Sequence, residues 1–239
     1  MARRPSHDSR TARSVPAPSA PPATAGGGGR RALFLDRDDT LVRDEGYMSR
    51  PEQIELLPGV AEALRAARAA GFRLYLVTNQ SGIGRGYYTM ADALACNRRL
   101  EALVFDPAAN EPSNLRTFEP SNPVEAACPR GFDGVCIAPE RPDEPSRYRK
   151  PSPAYLLERI AEDGLDPARC RMVGDKVSDL ACGLAAGVPP VLVARGATGA
   201  PREDAAAFAA ARGIPVFPSL SAFVSALLSR IPAAPEKKN

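Results

Sequence analysis

Short apolar runs alternate with helical segments along most of this chain, and no other feature limits its fold as strongly. The runs predict six strands, one ending at Leu35 and the others at residues 72–77, 135–138, 170–173, 191–193 and 215–217. The segments between them predict helices at residues 59–70, 89–104, 154–161, before Gly187, 205–211 and 219–231. Strands that alternate with helices form a parallel sheet covered on both faces. We therefore predict an α/β fold with a doubly wound parallel sheet.

The composition changes at both ends of the chain and once inside it. Residues 1–29 mix arginine, serine, proline and alanine and close with glycines, so we predict a disordered tail. Residues 30–232 are predicted to form one domain, with a second tail at 233–239. Inside the domain, residues 106–133 are too long for an ordinary connection. We predict that they form an inserted loop, a candidate lid, beside a minimal cap.

Composition excludes several partners and chemistries. The net charge is +3, but many arginines lie in the tail, so no nucleic-acid-binding surface is indicated. No apolar stretch approaches the ~18 residues of a membrane span. The five cysteines lack C-x-x-C spacing, which favours reduced thiols in a cytoplasmic protein. His7, in the tail, is the only histidine, so acid–base chemistry in the domain falls to carboxylates or lysine. We expect a monomer.

Polar clusters follow four of the predicted strands, the third by way of a loop. They are Asp36 with Asp38, Thr78 with Asn79, Arg149 with Lys150, and Asp175 with Asp179. The carboxyl ends of parallel strands share one edge of the sheet, so these groups are expected to converge on one crevice. A carboxylate nucleophile, a carboxylate acid, a third carboxylate for a divalent ion, and a hydroxyl with an ammonium for phosphate oxygens are what phosphoryl transfer requires.

The first cluster has two interpretations on its own pattern. Asp36 and Asp38 are alternate residues after a strand, so both can face one small volume while Arg37 points away. They could then act as nucleophile and proton donor. Acids after a strand are also common in polar turns, and this pair alone does not decide between the two.

The set of motifs resembles the haloacid dehalogenase superfamily of phosphatases. The shared order is D-x-D-x-T from Asp36, a strand-end threonine at Thr78, a lysine before proline at Lys150, and G-D-x-x-x-D around Asp175. Within the superfamily, the segments around these residues and Asp44-Glu45-Gly46-Tyr47 are similar to the D-glycero-D-manno-heptose 1,7-bisphosphate phosphatases and the histidinol-phosphate phosphatases. The similarity extends from about Ala32 to Val193 and is interrupted by the insertion.

The resemblance implies a role for each matching residue. Asp36 would attack phosphorus, and Asp38 would protonate the leaving oxygen and then deprotonate water. Thr78 and Lys150 would bind the phosphoryl oxygens. Asp175 would bind Mg²⁺ with Asp36 and the backbone carbonyl of Asp38, a set of oxygens that suits this ion.

Eight further residues match positions that contact substrate in the heptose enzymes. They are Asp44, Gly46, Tyr47, Asn79, Gln80, Ser81, Arg149 and Lys176. Other interpretations stay open for several of them: Asn79 and Ser81 could only close a turn, Tyr47 could pack within its loop, and Lys176 could be solvated. Asp179 is interpreted as an orienting group or a helix-start charge rather than a metal ligand.

The chain departs from the family pattern at two places. Asp39 stands where the family usually has glycine, adding a negative charge beside the metal. The relatives also carry a zinc site before the lysine, whereas this chain retains only Cys136, with Ala138 and Ser146 in place of other ligands. Zinc needs about four ligands, so we predict no zinc.

These observations favour a Mg²⁺-dependent phosphatase acting on a small phosphorylated sugar. Heptose 1,7-bisphosphate is the first candidate substrate, with loss of the 7-phosphate, and histidinol phosphate is the alternative. A non-catalytic phosphate-binding module is the alternative from a different class. The changed loop and the insertion leave the substrate open.

Overall fold

Six parallel strands form a single sheet in the computed structural model, which describes residues 29–106, 131–195 and 198–231. The strands are β1 (Arg31–Leu35), β2 (Phe72–Asn79), β3 (Gly134–Ala138), β4 (Arg171–Gly174), β5 (Pro190–Val193) and β6 (Val216–Phe217). Their spatial order is β3-β2-β1-β4-β5-β6. The chain therefore winds outward from β1 in one direction and from β4 in the other. This reversal between β1 and β4 is where doubly wound sheets bind their ligands.

Helices cover both faces of the sheet. They are α1 (Val60–Ala69), α2 (Ser81–Gly84), α3 (Met90–Phe105), α4 (Ala154–Asp163), α5 (Val177–Ala185), α6 (Glu203–Ala210) and α7 (Leu220–Leu228). Helix α1 packs against both α3 and α7, while α5 packs against α6. Leu33 and Leu35 belong to the core that contains α1, whereas Phe34 belongs to the core that contains α4 and α5. Alternate residues of β1 thus fill opposite cores, which confirms the α/β doubly wound prediction.

Local sequence explains where several elements begin and end. Thr89 and Asp92 form a reciprocal capping box at the start of α3, in which Asp92 N donates to Thr89 Oγ1 at 3.2 Å. Gly71 has a φ of 84° and turns the chain from α1 into β2. The short helix α2 was not predicted, because a four-residue turn carries too little periodicity to be recognised.

Three predicted segments lie wholly or almost wholly outside the described residues. They are the amino-terminal tail at residues 1–29, the insertion at residues 106–133 and the second tail at residues 233–239. All three remain predictions, as do the domain boundaries that depend on them.

Among the described helices, none combines the length and the apolar character that crossing a membrane requires.

The four described cysteines provide a test of the packing. Cys96, Cys136, Cys170 and Cys182 are all buried. Burial raises the pKa of Cys136 and Cys182 to about 12 and that of Cys170 to about 11. Because the thiolate is the reactive form, we expect a disulfide reagent such as DTNB at pH 8 to label no more than one of the five thiols in the folded protein. All five should react in guanidinium chloride, and rapid labelling of two or more in native buffer would contradict this packing.

Candidate active site

The candidate site lies where β1 and β4 end. Asp36 follows β1, and its backbone N–H donates to Val173 O in β4 at 2.9 Å, which fixes the residue beside the neighbouring strand. Asp175 follows β4 directly. The two carboxylates therefore stand on either side of the reversal in strand order, as predicted for ligand-binding groups in such a sheet.

A tight turn carries the chain away from Asp36. The N–H groups of Leu41 and Val42 donate to Arg37 O at 2.8 and 3.1 Å. Asp39 occupies the left-handed region with a φ of 62°. Aspartate tolerates this conformation better than most residues, so the turn forms without the glycine that the resemblance led us to expect.

Lys150 is buried at the centre of the site and contacts three oxygens. Its Nζ lies 2.5 Å from Asp36 Oδ1, 2.7 Å from Asp179 Oδ1 and 2.8 Å from the backbone oxygen of Val77. Burial lowers the pKa of Lys150, but the charges of Asp179 and Asp36 raise it, and the net pKa is above the usual value. The lysine is therefore a permanent cation in this position.

The charge state of Asp36 follows from its neighbours. Burial raises its pKa, whereas Lys150 and Lys176 lower it, and the net pKa lies below the usual value. Asp36 is thus ionised, with one oxygen bound by Lys150 and the other, Oδ2, without a hydrogen-bond partner. Lys176 Nζ is 4.0 Å from that second oxygen.

Three buried aspartates could together hold a metal ion. Asp36, Asp175 and Asp179 each bring a carboxylate oxygen within 4.8 Å of the others. Asp175 Oδ1, like Asp36 Oδ2, has no hydrogen-bond partner. Burial and the charge of Asp36 raise the pKa of Asp175 to about 6, and Lys176 and Arg202 oppose this effect. Buried carboxylate oxygens without partners are the donors that a hard divalent cation binds, so Asp36 Oδ2 and Asp175 Oδ1 fit Mg²⁺.

Asp179 lies against Gly174, and this contact explains the glycine of G-D-x-x-x-D. A side chain at position 174 would collide with the Asp179 carboxylate. Asp179 Oδ2 accepts from the backbone N–H of Lys176 at 3.0 Å, at the start of α5. The residue therefore caps a helix and pairs with Lys150, in agreement with the orienting role considered from the sequence.

Asp38 is held by hydrogen bonds to both of its carboxylate oxygens. Arg37 Nε donates to Oδ1 at 2.8 Å, and Gln80 Nε2 donates to Oδ2 at 2.9 Å. Arg37 is itself buried, and its guanidinium also donates to Asn97 Oδ1 at 3.0 Å. The expectation that Arg37 points away from the site was wrong, because it lines the cleft and fixes the orientation of Asp38.

Gln80 connects Asp38 to Thr78 and Tyr88. Its Nε2 also donates to Thr78 Oγ1 at 2.7 Å, and its Oε1 accepts from the Tyr88 hydroxyl at 2.6 Å. The side chain of the neighbouring Asn79 accepts from the backbone N–H of Lys150 at 3.0 Å and donates to the backbone oxygen of Lys150 at 3.1 Å. Both amides therefore orient other residues of the site.

A cleft of about 200 Å³ opens above Asp38. Seven of the eight predicted substrate residues line it: Asp44, Gly46, Tyr47, Asn79, Gln80, Ser81 and Lys176. Arg149 is not part of this lining. Its guanidinium donates to Glu140 O at 3.1 Å. Burial and the charge of Arg85 lower the pKa of Arg149, the charge of Glu140 raises it, and the net pKa lies below the usual value.

Arg202 enters the site from the start of α6 and was not predicted. Its Nε donates to Asp175 Oδ2 at 2.6 Å, and its second terminal nitrogen (NH2) donates to Asp39 Oδ2 at 3.2 Å. Nothing in the local sequence of Arg202 marks it, because a loop arginine before a helix is common. The one indication in the sequence was Asp39, which stands where the family usually has glycine. Its added negative charge favours a nearby cation.

The predicted absence of zinc concerns the loop before Lys150. Cys136 is buried in β3, and Ala138 and Ser146 occupy the positions discussed above. Among described residues, Asp36, Asp175 and Asp179 are the one group of three or more potential ligands close enough to share an ion.

Comparisons with known proteins agree with this geometry. The sequence model of the HAD-hydrolase-like family matches residues 147–223. The D-glycero-β-D-manno-heptose-1,7-bisphosphate 7-phosphatase of Helicobacter pylori is 35% identical over 158 residues, which are 66% of this chain and 80% of that protein. The corresponding enzyme for the α anomer from Burkholderia mallei is 35% identical over 170 residues, 68% of this chain and 79% of that protein.

A solved structure shares the fold. The D,D-heptose 1,7-bisphosphate phosphatase from B. bronchiseptica, complexed with magnesium and phosphate, superposes with a TM-score of 0.63 at 24% identity. The match covers 84% of this chain and 99% of that one. This structural likeness shows that the chain has the haloacid dehalogenase-like fold. The two sequence relatives show that the chain is a phosphoric monoester hydrolase and belongs to the family of the heptose-1,7-bisphosphate 7-phosphatases.

Proposed function

We propose that this enzyme removes the 7-phosphate of a D-glycero-D-manno-heptose 1,7-bisphosphate through an aspartyl phosphate on Asp36. The observation that carries the mechanism is the state of the Asp36 carboxylate. Lys150 fixes one oxygen, and the other is buried without a hydrogen-bond partner. A carboxylate that is ionised, oriented and free at one oxygen is suited to attack phosphorus.

Asp36, Asp175 and the backbone carbonyl of Asp38 would hold Mg²⁺. The unpartnered oxygens of Asp36 and Asp175 support this assignment. The bound ion would offset the repulsion between the carboxylate nucleophile and the phosphate dianion.

Proton transfer falls to Asp38 in this mechanism. Attack by Asp36 breaks the bond between phosphorus and the sugar oxygen, and Asp38 protonates that leaving oxygen. Asp38, now ionised, then takes a proton from the water that attacks the aspartyl phosphate. This step releases phosphate and restores the Asp36 carboxylate and the protonated Asp38. Arg37 and Gln80 keep its oxygens in one orientation through both steps.

Thr78 and Lys150 would bind the phosphoryl oxygens. Thr78 Oγ1 accepts from Gln80, so its own hydroxyl proton remains available for donation to an anionic oxygen. Lys150 keeps its positive charge at neutral pH because Asp179 and Asp36 raise its pKa. Both groups are buried, which strengthens their interaction with charge that develops in the transition state.

The assignment of a heptose substrate draws on the relatives and on the cleft wall. Two relatives act on opposite anomers of the same bisphosphate, so the sequence similarity supports the sugar but not one anomer. In the cleft, Asp44, Gly46, Tyr47, Ser81 and Lys176 would contact the sugar and its phosphate. Asn79 and Gln80 would contribute there and through their bonds to Lys150 and Asp38. Arg149, which does not line the cleft and bonds Glu140 O, stays a prediction from the resemblance alone.

Phosphate release tests this proposal. The panel is the α and β anomers of heptose 1,7-bisphosphate, histidinol phosphate and an aryl phosphate, each with Mg²⁺ or with EDTA. We expect Mg²⁺-dependent turnover of at least one heptose anomer, with kcat/KM above that for histidinol phosphate. Asp36→Asn should lower turnover by about a thousandfold or more, because an amide is a poor nucleophile.

Each other outcome of the panel points to a different error. Turnover of the aryl ester alone would leave the mechanism intact and reject the heptose as the substrate. A higher kcat/KM for histidinol phosphate would make that ester the substrate instead. No turnover of any ester would favour a phosphate-binding module. Full activity in a folded Asp36→Asn variant would reject Asp36 as the nucleophile.

The hydrogen bond between Tyr88 and Gln80 gives a second prediction. Tyr88→Phe removes the hydroxyl that holds Gln80 Oε1, and Gln80 in turn orients Asp38 and Thr78. Loss of one such bond is worth about 1 kcal/mol, so we expect kcat to fall about 2- to 10-fold. Tyr87→Phe is the matched control, because Tyr87 is 61% exposed and contacts Tyr47 through its ring. Equal kcat values in the two variants would show that Gln80 does not need this support.

A further inference from the structure

Arg202 joins two carboxylates through different atoms of one guanidinium group. Its Nε lies 2.6 Å from Asp175 Oδ2, and its NH2 nitrogen lies 3.2 Å from Asp39 Oδ2. The side chains of Asp175 and Asp39 are 0% and 7% exposed, while that of Arg202 is 30% exposed. The Arg202 side chain is therefore partly exposed while its guanidinium bonds two buried acids.

The bond from Arg202 distinguishes the two oxygens of Asp175. Oδ2 receives the guanidinium, whereas Oδ1 has no hydrogen-bond partner and lies 3.6 Å from Lys176 Nζ. A planar guanidinium fixes the plane of the carboxylate that it binds, which an ammonium group does not. Arg202 thus determines which oxygen of Asp175 faces the cation site.

Asp39 fixes the guanidinium in turn. The backbone of Asp39 is held in a tight turn, in which its N–H donates to Val42 O at 2.9 Å, and its side chain is buried. The turn is directly attached to the nucleophile segment. We propose that Asp39 and Arg202 form a positioning chain that orients Asp175 for Mg²⁺ binding, and that this is why the chain carries an aspartate at position 39. The inference rests on the metal site of the proposed function.

A purely electrostatic role for Arg202 predicts the opposite change in Mg²⁺ affinity when the residue is removed. If Arg202 served only to neutralise Asp39, its removal would leave the cation site more negative and Mg²⁺ would bind more tightly. If Arg202 orients Asp175, its removal weakens Mg²⁺ binding, because loss of a group that orients a metal ligand costs about 10- to 100-fold in affinity.

Isothermal titration of the folded protein with Mg²⁺ measures this directly, without substrate. Arg202→Met should weaken binding about tenfold or more. Arg202→Lys keeps the charge but cannot bond both acids in the same way. Its Kd for Mg²⁺ should therefore lie within about threefold of the Kd of Arg202→Met. The matched control is Arg212→Met, an exposed arginine just beyond the end of α6, which should bind like the wild type.

A double substitution tests whether the two residues act as one chain. Asp39→Gly alone should weaken Mg²⁺ binding. The double variant with Asp39→Gly and Arg202→Met should have a Kd for Mg²⁺ within about twofold of that of Arg202→Met alone. If the fold-changes in Kd of the two single variants multiply in the double variant, the two residues act separately and the inference is overturned. Thermal melting of each variant by circular dichroism confirms that it is folded.

The remaining outcomes separate this inference from the proposed function. Wild-type binding that is lost in Asp175→Asn identifies the titrated site as this one. If Mg²⁺ binds the Arg202 variants as tightly as the wild type, or more tightly, the positioning chain is wrong and the metal site stands. If the wild type binds no Mg²⁺, the metal site and the inference are both wrong.

Discussion

The ammonium group of Lys150 contacts three oxygens that the fold brings from different parts of the sheet. Asp36 follows β1, Val77 lies in β2, and Asp179 lies in α5 after β4. A buried ammonium without anionic partners is strongly unfavourable, so the three contacts must form together. Asp36, the proposed nucleophile, is therefore oriented and ionised by the same interaction that ties the strand ends to each other.

Much of the fold and part of the site could be predicted from sequence because their signals are local. Apolar runs identified the strands, and the carboxyl ends of β1, β2 and β4 could be expected to meet because parallel strands share an edge. The structure brings Asp36, Lys150 and Asp175 together as this argument requires. The roles of these residues in catalysis remain proposals.

Other parts of the site depend on contacts that no local pattern encodes. Arg37 was expected to point away, yet it bonds Asp38 and an asparagine in α3. Gln80 was interpreted as a substrate contact from its motif, while its side chain bonds Asp38, Thr78 and Tyr88. Sequence patterns report which face of an element a residue occupies, but not which partner a long polar side chain reaches.

The strand order has a consequence for how the enzyme becomes active during folding. Strand β1 pairs on one side with β2, which follows soon after it in the chain, and on the other with β4, which lies beyond the insertion. Pairing with β4 closes a much longer loop, which costs more chain entropy and is slower to form. Asp36 and Asp175 meet only through that second pairing. The active site therefore depends on the long-range half of the sheet, because pairing of β1 with β2 alone does not bring Asp175 to Asp36.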